Sequence, residues 1–153
     1  MEILTKSTQE TKEFGRKFGA ELKVNRKKAV VLALTGELGS GKTTFVQGLA
    51  EGLGIKQRII SPTFILVRKY KIPFSHQPLA ISYLYHIDLY RLEKNIEGEV
   101  NNLGIEDFWK SSENVIVIEW AEKIKSMIPK STIWIKFENL GEDKRRISLM
   151  TND

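Results

Sequence analysis

The chain has 153 residues, of which 41% are hydrophobic and 28% charged, and its formal net charge is +5; these values are typical of one globular domain spanning residues 1–153. It contains no cysteine and two histidines, which excludes disulfides within the chain and thiolate metal sites and argues against a structural zinc site. No apolar stretch reaches the length of a membrane span, and the first residues lack the pattern of a signal peptide, so we expect a cytoplasmic protein without a membrane partner. The basic residues are scattered rather than interleaved with aromatics, and we expect no DNA partner.

The first part of the chain alternates helical and strand patterns. Ser7 and Glu10 fit a capping box, and apolar residues at helical spacing then predict a helix to about Leu22. The continuous apolar run Ala29–Thr35 predicts a strand buried on both faces. An apolar stripe in Thr44–Leu53 predicts a second helix.

A glycine-rich segment connects that strand to that helix. It matches G-x-x-x-x-G-K-[ST] at every fixed position and consists of Gly36, Glu37, Leu38, Gly39, Ser40, Gly41, Lys42 and Thr43. Its backbone N–H groups, together with the start of the helix at Thr44, form a cradle suited to polyphosphate. We expect Lys42 to reach the phosphates and the Thr43 hydroxyl to ligate Mg²⁺. The alternative is an ordinary glycine-rich turn before a helix.

The later elements complete an α/β pattern. They are a loop within Ile59–Val67 leading into a strand through Tyr70, a turn or insertion over Ile72–Leu79, a strand over Ala80–Ile87, an interrupted helix over Glu97–Lys110, a strand over Val115–Ile118, a short helix over Ala121–Met127, and two late strands over Thr132–Phe137 and Arg146–Met150. We predict a P-loop NTPase-like three-layer α/β fold with a mostly parallel central sheet and late antiparallel strands.

Two acids end predicted strands beside the phosphate loop. Asp88 follows one strand and Glu119 follows another, and ligands of open α/β sheets bind at the carboxyl ends of the strands. Each acid could ligate Mg²⁺ or order water; the alternative is a strand-terminal acid that faces solvent or caps a helix. Trp120 could pack near the nucleotide or in the core, and His86 is interpreted as structural.

Candidates for a positive group at the terminal phosphate remain open. They are Arg58, Arg68, Arg91, Arg145 and Arg146. The chain has no segment of the N-K-x-D type that would read guanine, which favours ATP over GTP.

Several segments together resemble the bacterial TsaE (YjeE) family, the small ATPase of tRNA N6-threonylcarbamoyladenosine synthesis. Besides the phosphate loop they are S-P-T-F at 61–64, H-I-D-L-Y-R at 86–91, L-G-I-E-D at 103–107 and I-E-W-A-E at 118–122. The resemblance covers nearly the whole chain. It implies ATP and Mg²⁺ as cofactors, a TsaB–TsaD complex as partner, and tRNA as a partner reached indirectly.

The resemblance also implies residue roles. Lys42 and Thr43 would hold phosphate and Mg²⁺, Asp88 would be the essential acid, and Glu119 would be the acid linked to Mg²⁺. A nucleotide-sensing loop would contain Thr63. The remaining residues implied near the nucleotide are Thr11, Trp120, Glu122 and Arg146.

One departure and two other functions stay open. The segment between Thr63 and His86 is longer than the family pattern by about a turn and a strand, over Ile72–Ala80. The chain could instead be a small-molecule kinase, which would need a pocket for a second substrate, or a nucleotide-gated binding module without significant turnover.

Overall fold

A seven-stranded mixed sheet forms the centre of the protein, in a computed structural model that describes residues 1–22, 27–73 and 81–151. The strands are β1 (Glu2–Thr5), β2 (Val30–Thr35), β3 (Val67–Lys71), β4 (Tyr83–Asp88), β5 (Asn114–Glu119), β6 (Ile133–Gly141) and β7 (Lys144–Thr151). The helices are α1 (Thr8–Ala20), α2 (Lys42–Gly52), α3 (Ile96–Asn102) and α4 (Ile105–Lys110), and Ala121–Met127 forms a 3₁₀-helical segment.

The strand order is β1-β7-β6-β2-β5-β4-β3. The four central strands, β6, β2, β5 and β4, run parallel, whereas β1, β7 and β3 pair antiparallel at the margins. Strand β2 is apolar throughout its buried part because it has a strand on either side and packed layers on both faces; Leu32, Ala33 and Leu34 are fully buried.

Helices α1 and α2 cover one face of the sheet. Phe45 of α2 lies at the centre of an aromatic cluster, 5.7 Å from the rings of both Phe14 and Phe18 of α1 and 5.5 Å from that of Phe137 of β6. The two helices approach closely because glycines face the backbone of the opposing helix. This packing fixes α2, and therefore the loop before it, against the sheet.

Helices α3 and α4 and the 3₁₀-helical segment cover the opposite face, so the protein has three layers. Their apolar residues form a second core cluster with Ile87, Ile116 and Ile118, and Phe108 of α4 stacks on Tyr85 of β4 at 4.3 Å. The predicted α/β three-layer fold is confirmed.

The first predicted helix is confirmed, including its cap. The Ser7 hydroxyl accepts a hydrogen bond from Glu10 N at 3.1 Å. The Glu10 carboxylate accepts from Lys6 N at 2.7 Å, one residue earlier than a capping box requires. The helix ends at Ala20 rather than Leu22.

Other elements differ from the sequence prediction. Strand β1 was not predicted; it has four residues and pairs with β7 at the other end of the chain. The interruption predicted within Glu97–Lys110, by contrast, is confirmed, because α3 and α4 are separated at Gly104, where φ is +75°. The segment predicted as a helix after Glu119 is 3₁₀ and contains a non-helical residue, Ile124.

Part of the predicted insertion, residues 74–80, lies outside the described residues, as does the start of the strand predicted from Ala80. Strand β4 begins at Tyr83. None of the helices in the described ranges is both long and apolar enough to cross a bilayer.

Candidate nucleotide-binding site

The phosphate loop leaves β2 after Thr35 and enters α2 at Lys42. Gly41 is the N-cap of α2 with φ of +102°, a conformation that favours glycine, and no side chain caps the helix. The first N–H groups of α2 therefore have no intrahelical partner and carry the positive end of the helix dipole. At Gly39 an added side chain would meet nothing within 4 Å, so this part of the loop faces open space. These features fit an anion.

The loop forms one wall of a cleft of about 230 Å³. The opposite wall comes from the segment before β3, from the ends of β4 and β5 with the residues that follow them, and from the β6–β7 hairpin. The lining residues are Leu38, Gly39, Ser40, Gly41, Lys42, Thr43, Thr44, Ser61, Thr63, Asp88, Tyr90, Glu119, Trp120 and Arg145.

Asp88 and Glu119 lie side by side at the carboxyl ends of parallel strands. They are direct partners in the β4–β5 register, and only 4% and 3% of their surfaces are exposed. The Thr43 hydroxyl donates to the Glu119 carboxylate, at 3.3 Å from Oε1 and 3.5 Å from Oε2. The structure thus brings the two acids selected from sequence to the loop.

Asp88 is engaged by the segment that precedes β3. Its Oδ2 accepts hydrogen bonds from Thr63 Oγ1 at 2.9 Å and from Ser61 Oγ at 3.2 Å, and its Oδ1 accepts from Tyr90 N at 2.9 Å. The Thr63 loop is therefore attached directly to a cleft carboxylate. The segment also exposes 88% of Phe64.

His86, which the sequence analysis interprets as structural, contacts one of the cleft carboxylates. It lies on the same face as Asp88, one residue pair deeper, as strand alternation requires. However, its Nε2 is 2.6 Å from Glu119 Oε2, and the ring is completely buried. Sequence periodicity placed the ring correctly but could not show this contact, which crosses between strands.

Lys42 rests inside the cleft. Its ammonium group donates a hydrogen bond to the Gly36 carbonyl oxygen and lies 3.8 Å from the centroid of the Trp120 ring. Burial lowers the pKa of Lys42 from its usual value, and the carboxylates of Glu119, Glu122 and Asp88 oppose that shift. A desolvated cation here interacts with an anion more strongly than one in water.

Trp120 lines the cleft and, partly buried, also packs against the second core cluster. It adopts a left-handed backbone conformation, with φ of +61°, and its ring lies 5.3 Å from that of Tyr90. Tyr90 was missed from sequence, although it lies within the H-I-D-L-Y-R segment. The turn that follows β4 is held by Lys123. Its ammonium group donates to the carbonyls of Leu89, Tyr90 and Leu92 at 3.0, 2.9 and 2.8 Å.

Three residues implied by resemblance do not line the cleft. Thr11 is buried in α1 behind the loop; its hydroxyl contacts that of Thr5 at 2.7 Å, and its methyl carbon would lie 3.4 Å from a Cβ at Gly41. Glu122 is exposed, and partial desolvation raises the pKa of its carboxyl while Lys42 and Lys123 oppose the shift.

Arg146, which the resemblance places near the nucleotide, is not among the residues that line the cleft in this structure. It lies 3.4 Å from the Glu2 carboxylate and 3.9 Å from that of Glu138, because adjacent residues of β7 point to opposite faces. Its neighbour Arg145 lines the cleft instead. The Arg145 Nη1 donates to Asn139 Oδ1 and to two carbonyl oxygens of the β6–β7 hairpin.

The oxygen donors of the cleft suit Mg²⁺. Within the described ranges no group of three or more His, Cys, Asp or Glu side chains could hold a metal by itself. Thr43, Glu119 and Asp88 nevertheless offer hard oxygen ligands. Mg²⁺ is usually held by one or two carboxylates plus substrate phosphates rather than by an all-protein cage. The buried Ser40 hydroxyl, which has no hydrogen-bond partner among the described residues, offers one further oxygen in the loop.

Comparison with known proteins identifies relatives over most of the chain. Residues 5–147 match the family model described as threonylcarbamoyl adenosine biosynthesis protein TsaE. The chain is similar to the tRNA threonylcarbamoyladenosine biosynthesis protein TsaE of Rickettsia bellii, at 37% identity over 99% of this chain and 95% of the relative. It is similar to the protein of the same name from Haemophilus influenzae at 36% identity, over 90% and 80% of the two chains.

A solved structure has the same fold. The crystal structure of Bacillus subtilis YdiB matches with a TM-score of 0.72 and 29% sequence identity, over 100% of this chain and 86% of that one.

Proposed function

The chain belongs to the TsaE family of threonylcarbamoyl adenosine biosynthesis proteins, and on that premise we propose that it binds and slowly hydrolyses ATP with Mg²⁺. Its role lies in tRNA threonylcarbamoyladenosine biosynthesis. We propose that it acts in the cytoplasm as an accessory protein of a TsaB–TsaD complex and meets tRNA through that complex.

One observation carries the proposal. Lys42 and Thr43 of the phosphate loop converge with Asp88 and Glu119 on one cleft, and Thr43 already contacts Glu119. A phosphate loop alone would support binding only. The two buried acids beside it add the groups that phosphoryl transfer to water needs.

The loop and Lys42 bind the phosphates. The N–H groups at the start of α2 donate to phosphate oxygens, and Lys42 exchanges its contact with the Gly36 carbonyl for the terminal phosphates. Because the ammonium group is already desolvated against Trp120, it reaches the phosphates without losing a full hydration shell. It offsets the charge that develops on the transferred group.

Thr43, Glu119 and Asp88 organise the reacting oxygens. Bound Mg²⁺ supplies a Lewis acid for the phosphoryl oxygens. The Thr43 hydroxyl and the Glu119 carboxylate would hold it, directly or through water. Asp88 orients the attacking water through a carboxylate whose Oδ1 is fixed by Tyr90 N.

We expect slow turnover by the chain alone. Among the residues that the structure describes, Arg145 is the one arginine that lines the cleft, and its Nη1 is committed to acceptors of its own hairpin. An arginine supplied by a partner can raise the rate by about 10³- to 10⁵-fold. Stimulation by TsaB–TsaD is therefore the sharper expectation.

A nucleotide-gated binding module is the second candidate. The hydrogen bonds from Ser61 and Thr63 to Asp88 Oδ2 favour it, since any group that takes over this oxygen releases the loop that exposes Phe64. Such a device needs nucleotide binding but no turnover. The two functions differ in whether any partner condition produces ADP.

A small-molecule kinase would need a second pocket that opens onto the phosphate cleft. The larger depression of about 580 Å³ is lined by residues of α1, α2 and the segment through Ile59 and shares no residue with that cleft. Screening acceptors for ADP formation would test this function.

The deciding experiment measures ADP release by the wild type and by Lys42→Ala, with and without TsaB–TsaD. Lys56→Ala is the matched control, because Lys56 is exposed and lies outside the phosphate cleft. We expect Lys42→Ala to lose binding and turnover, Lys56→Ala to behave as wild type, and the partners to raise the wild-type rate. Turnover of tens per second without partners, and unchanged by them, would refute the partner-dependent proposal.

Glu119→Ala separates the two candidates. If turnover is lost while nucleotide binding is kept, the ATPase is supported. A wild type that binds nucleotide but never releases ADP, with any partner, supports the gated module.

A further inference from the structure

A buried histidine, His86, is hydrogen-bonded to the Glu119 carboxylate. His86 and Glu119 are diagonal neighbours on adjacent parallel strands, because His86 is in register with Val117 and Glu119 with Asp88. Their side chains point to the same face and meet at 2.6 Å, with 0% of His86 and 3% of Glu119 exposed.

The direction of this hydrogen bond follows from the chemistry of its partners. An ionised carboxylate only accepts, so His86 Nε2 carries the hydrogen and donates it to Glu119 Oε2. The other ring nitrogen, Nδ1, is buried without a partner among the described residues. The ring therefore has a single hydrogen-bonding task in the described part of the chain, and that task is Glu119.

The other side-chain contact of Glu119 is a long one. The Thr43 hydroxyl, which has a single hydrogen to donate, lies 3.3 and 3.5 Å from the two carboxylate oxygens, which is long for an O–H donor. In the proposed function the Thr43 oxygen would ligate the metal through a lone pair, and Thr43 itself belongs to the phosphate loop. His86 is then the one side-chain donor to Glu119, within the described ranges, that lies outside the phosphate loop.

We propose that His86 is the positioning residue that keeps the Glu119 carboxylate oriented toward the metal site, so that Mg²⁺ strengthens nucleotide binding. This inference rests on the proposed function. Oε2 is tethered by the ring, and Oε1 stays directed toward Thr43 and the cleft. Asp88 does not need this support, since its oxygens are already bound by Ser61, Thr63 and Tyr90 N.

A positioning role and a packing role predict different effects on metal dependence. Groups that hydrogen-bond a metal ligand typically contribute about 10- to 100-fold in metal affinity or activity. Loss of the His86 donor should therefore reduce the gain in nucleotide affinity that Mg²⁺ provides. It should leave affinity in the absence of metal unchanged, because no hydrogen bond in the described ranges joins His86 to the phosphate loop.

The test compares three variants at this position. His86→Gln places an amide nitrogen the same number of bonds from Cβ as Nε2, so it can still donate to Glu119. His86→Asn keeps the amide but is one bond too short. His86→Phe keeps a ring without a donor. Asn114→Leu is the control for a buried polar loss, since Asn114 lies at the far end of β5 and donates to the Phe108 carbonyl.

The measurement is ADP affinity by calorimetry in Mg²⁺ and in EDTA, supported by Mn²⁺ binding to the ADP complex by electron paramagnetic resonance. We expect the ratio of the two affinities to fall about 10- to 100-fold in the Phe and Asn variants and to be largely retained in His86→Gln and Asn114→Leu. Thermal unfolding identifies any variant that fails to fold, and the Gln–Asn pair remains decisive if the Phe variant does.

Other results would overturn either the role of His86 or the proposed function. Equal ratios in all variants, or equal losses with and without Mg²⁺, would overturn the role of His86 while leaving the proposed function intact. A wild type that binds no ADP in either buffer would refute the proposed function itself, and the inference with it.

Discussion

Gly48 decides how closely α2 can pack against α1, and its replacement by alanine tests that packing. A Cβ at this position would overlap the carbonyl oxygen of Lys12 and would lie 2.9 Å from Arg16 N. Both atoms belong to the backbone of α1, so no side-chain rotation can relieve the contact. The helices would have to separate by on the order of 1 Å to restore van der Waals distance.

Two effects of opposite sign decide the outcome. Inside a helix, alanine is more favourable than glycine by about 1 kcal/mol. Overpacking a core costs about 1–3 kcal/mol and sometimes more, and here the separation would also loosen the contacts of Phe45 with Phe14 and Phe18. We expect a net loss of about 2 kcal/mol in the free energy of unfolding, which for a chain of this length lowers Tm by about 4–8 °C.

Gly98→Ala is the matched control within the same protein. Gly98 lies inside α3, and the three atoms nearest to a Cβ there would all belong to the side chain of Asn95. Asn95 makes no capping hydrogen bond, so its side chain can turn away. The helix preference of alanine then dominates, and we expect Tm to rise by about 2–4 °C.

The assay is thermal and urea unfolding of both variants, followed by circular dichroism. A Gly48→Ala protein as stable as wild type would show that α1 and α2 do not pack at this distance and would refute the reasoning. So would losses of equal size in the two variants, because a general cost of changing glycine would then explain both.

Three further predictions concern single residues that do not line the cleft. Lys123→Met should destabilise the turn after β4 by about 1–3 kcal/mol, because three carbonyls lose a charged donor; limited proteolysis should then cut at residues 89–95, and resistance equal to wild type would contradict this. Glu122→Gln should slightly raise stability at neutral pH and not at pH 3.5, because a carboxyl whose pKa is raised on folding destabilises the folded state once pH exceeds its unfolded value; unfolding curves at the two pH values check the sign. Phe45→Leu should cost about 1–2 kcal/mol through lost aromatic contacts in a fully buried site, measured by urea unfolding, and a neutral effect would contradict the packing described.

Much of the fold could be read from local sequence patterns. The apolar run of β2, the cap at Ser7 and the helix after the phosphate loop depend on neighbouring residues, and each lies where it was predicted. Strand β1 could not be predicted in this way. Its four residues gain their stability from pairing with β7, which lies more than 140 residues away.

In the candidate site, too, some features could be predicted from local sequence and others could not. The glycine-rich motif and the strand ends at Asp88 and Glu119 were visible in the sequence, because phosphate loops and strand termini have local signatures. The distinction between Arg145 and Arg146 was not visible. It depends on which face of the sheet each β7 side chain points to, and this is set by the pairing of β7 with β1 and β6.

The amino-acid sequence by itself determined that this protein carries a phosphate loop between a buried strand and a helix, with acids at two later strand ends, because those features are encoded in short stretches of chain. Tertiary structure alone decided that β4 and β5 lie adjacent and in register. That register sets Asp88 beside Glu119 and His86 beneath it. The physical reason is that strand order and register follow from packing two apolar layers onto one sheet, which involves residues from the whole chain at once.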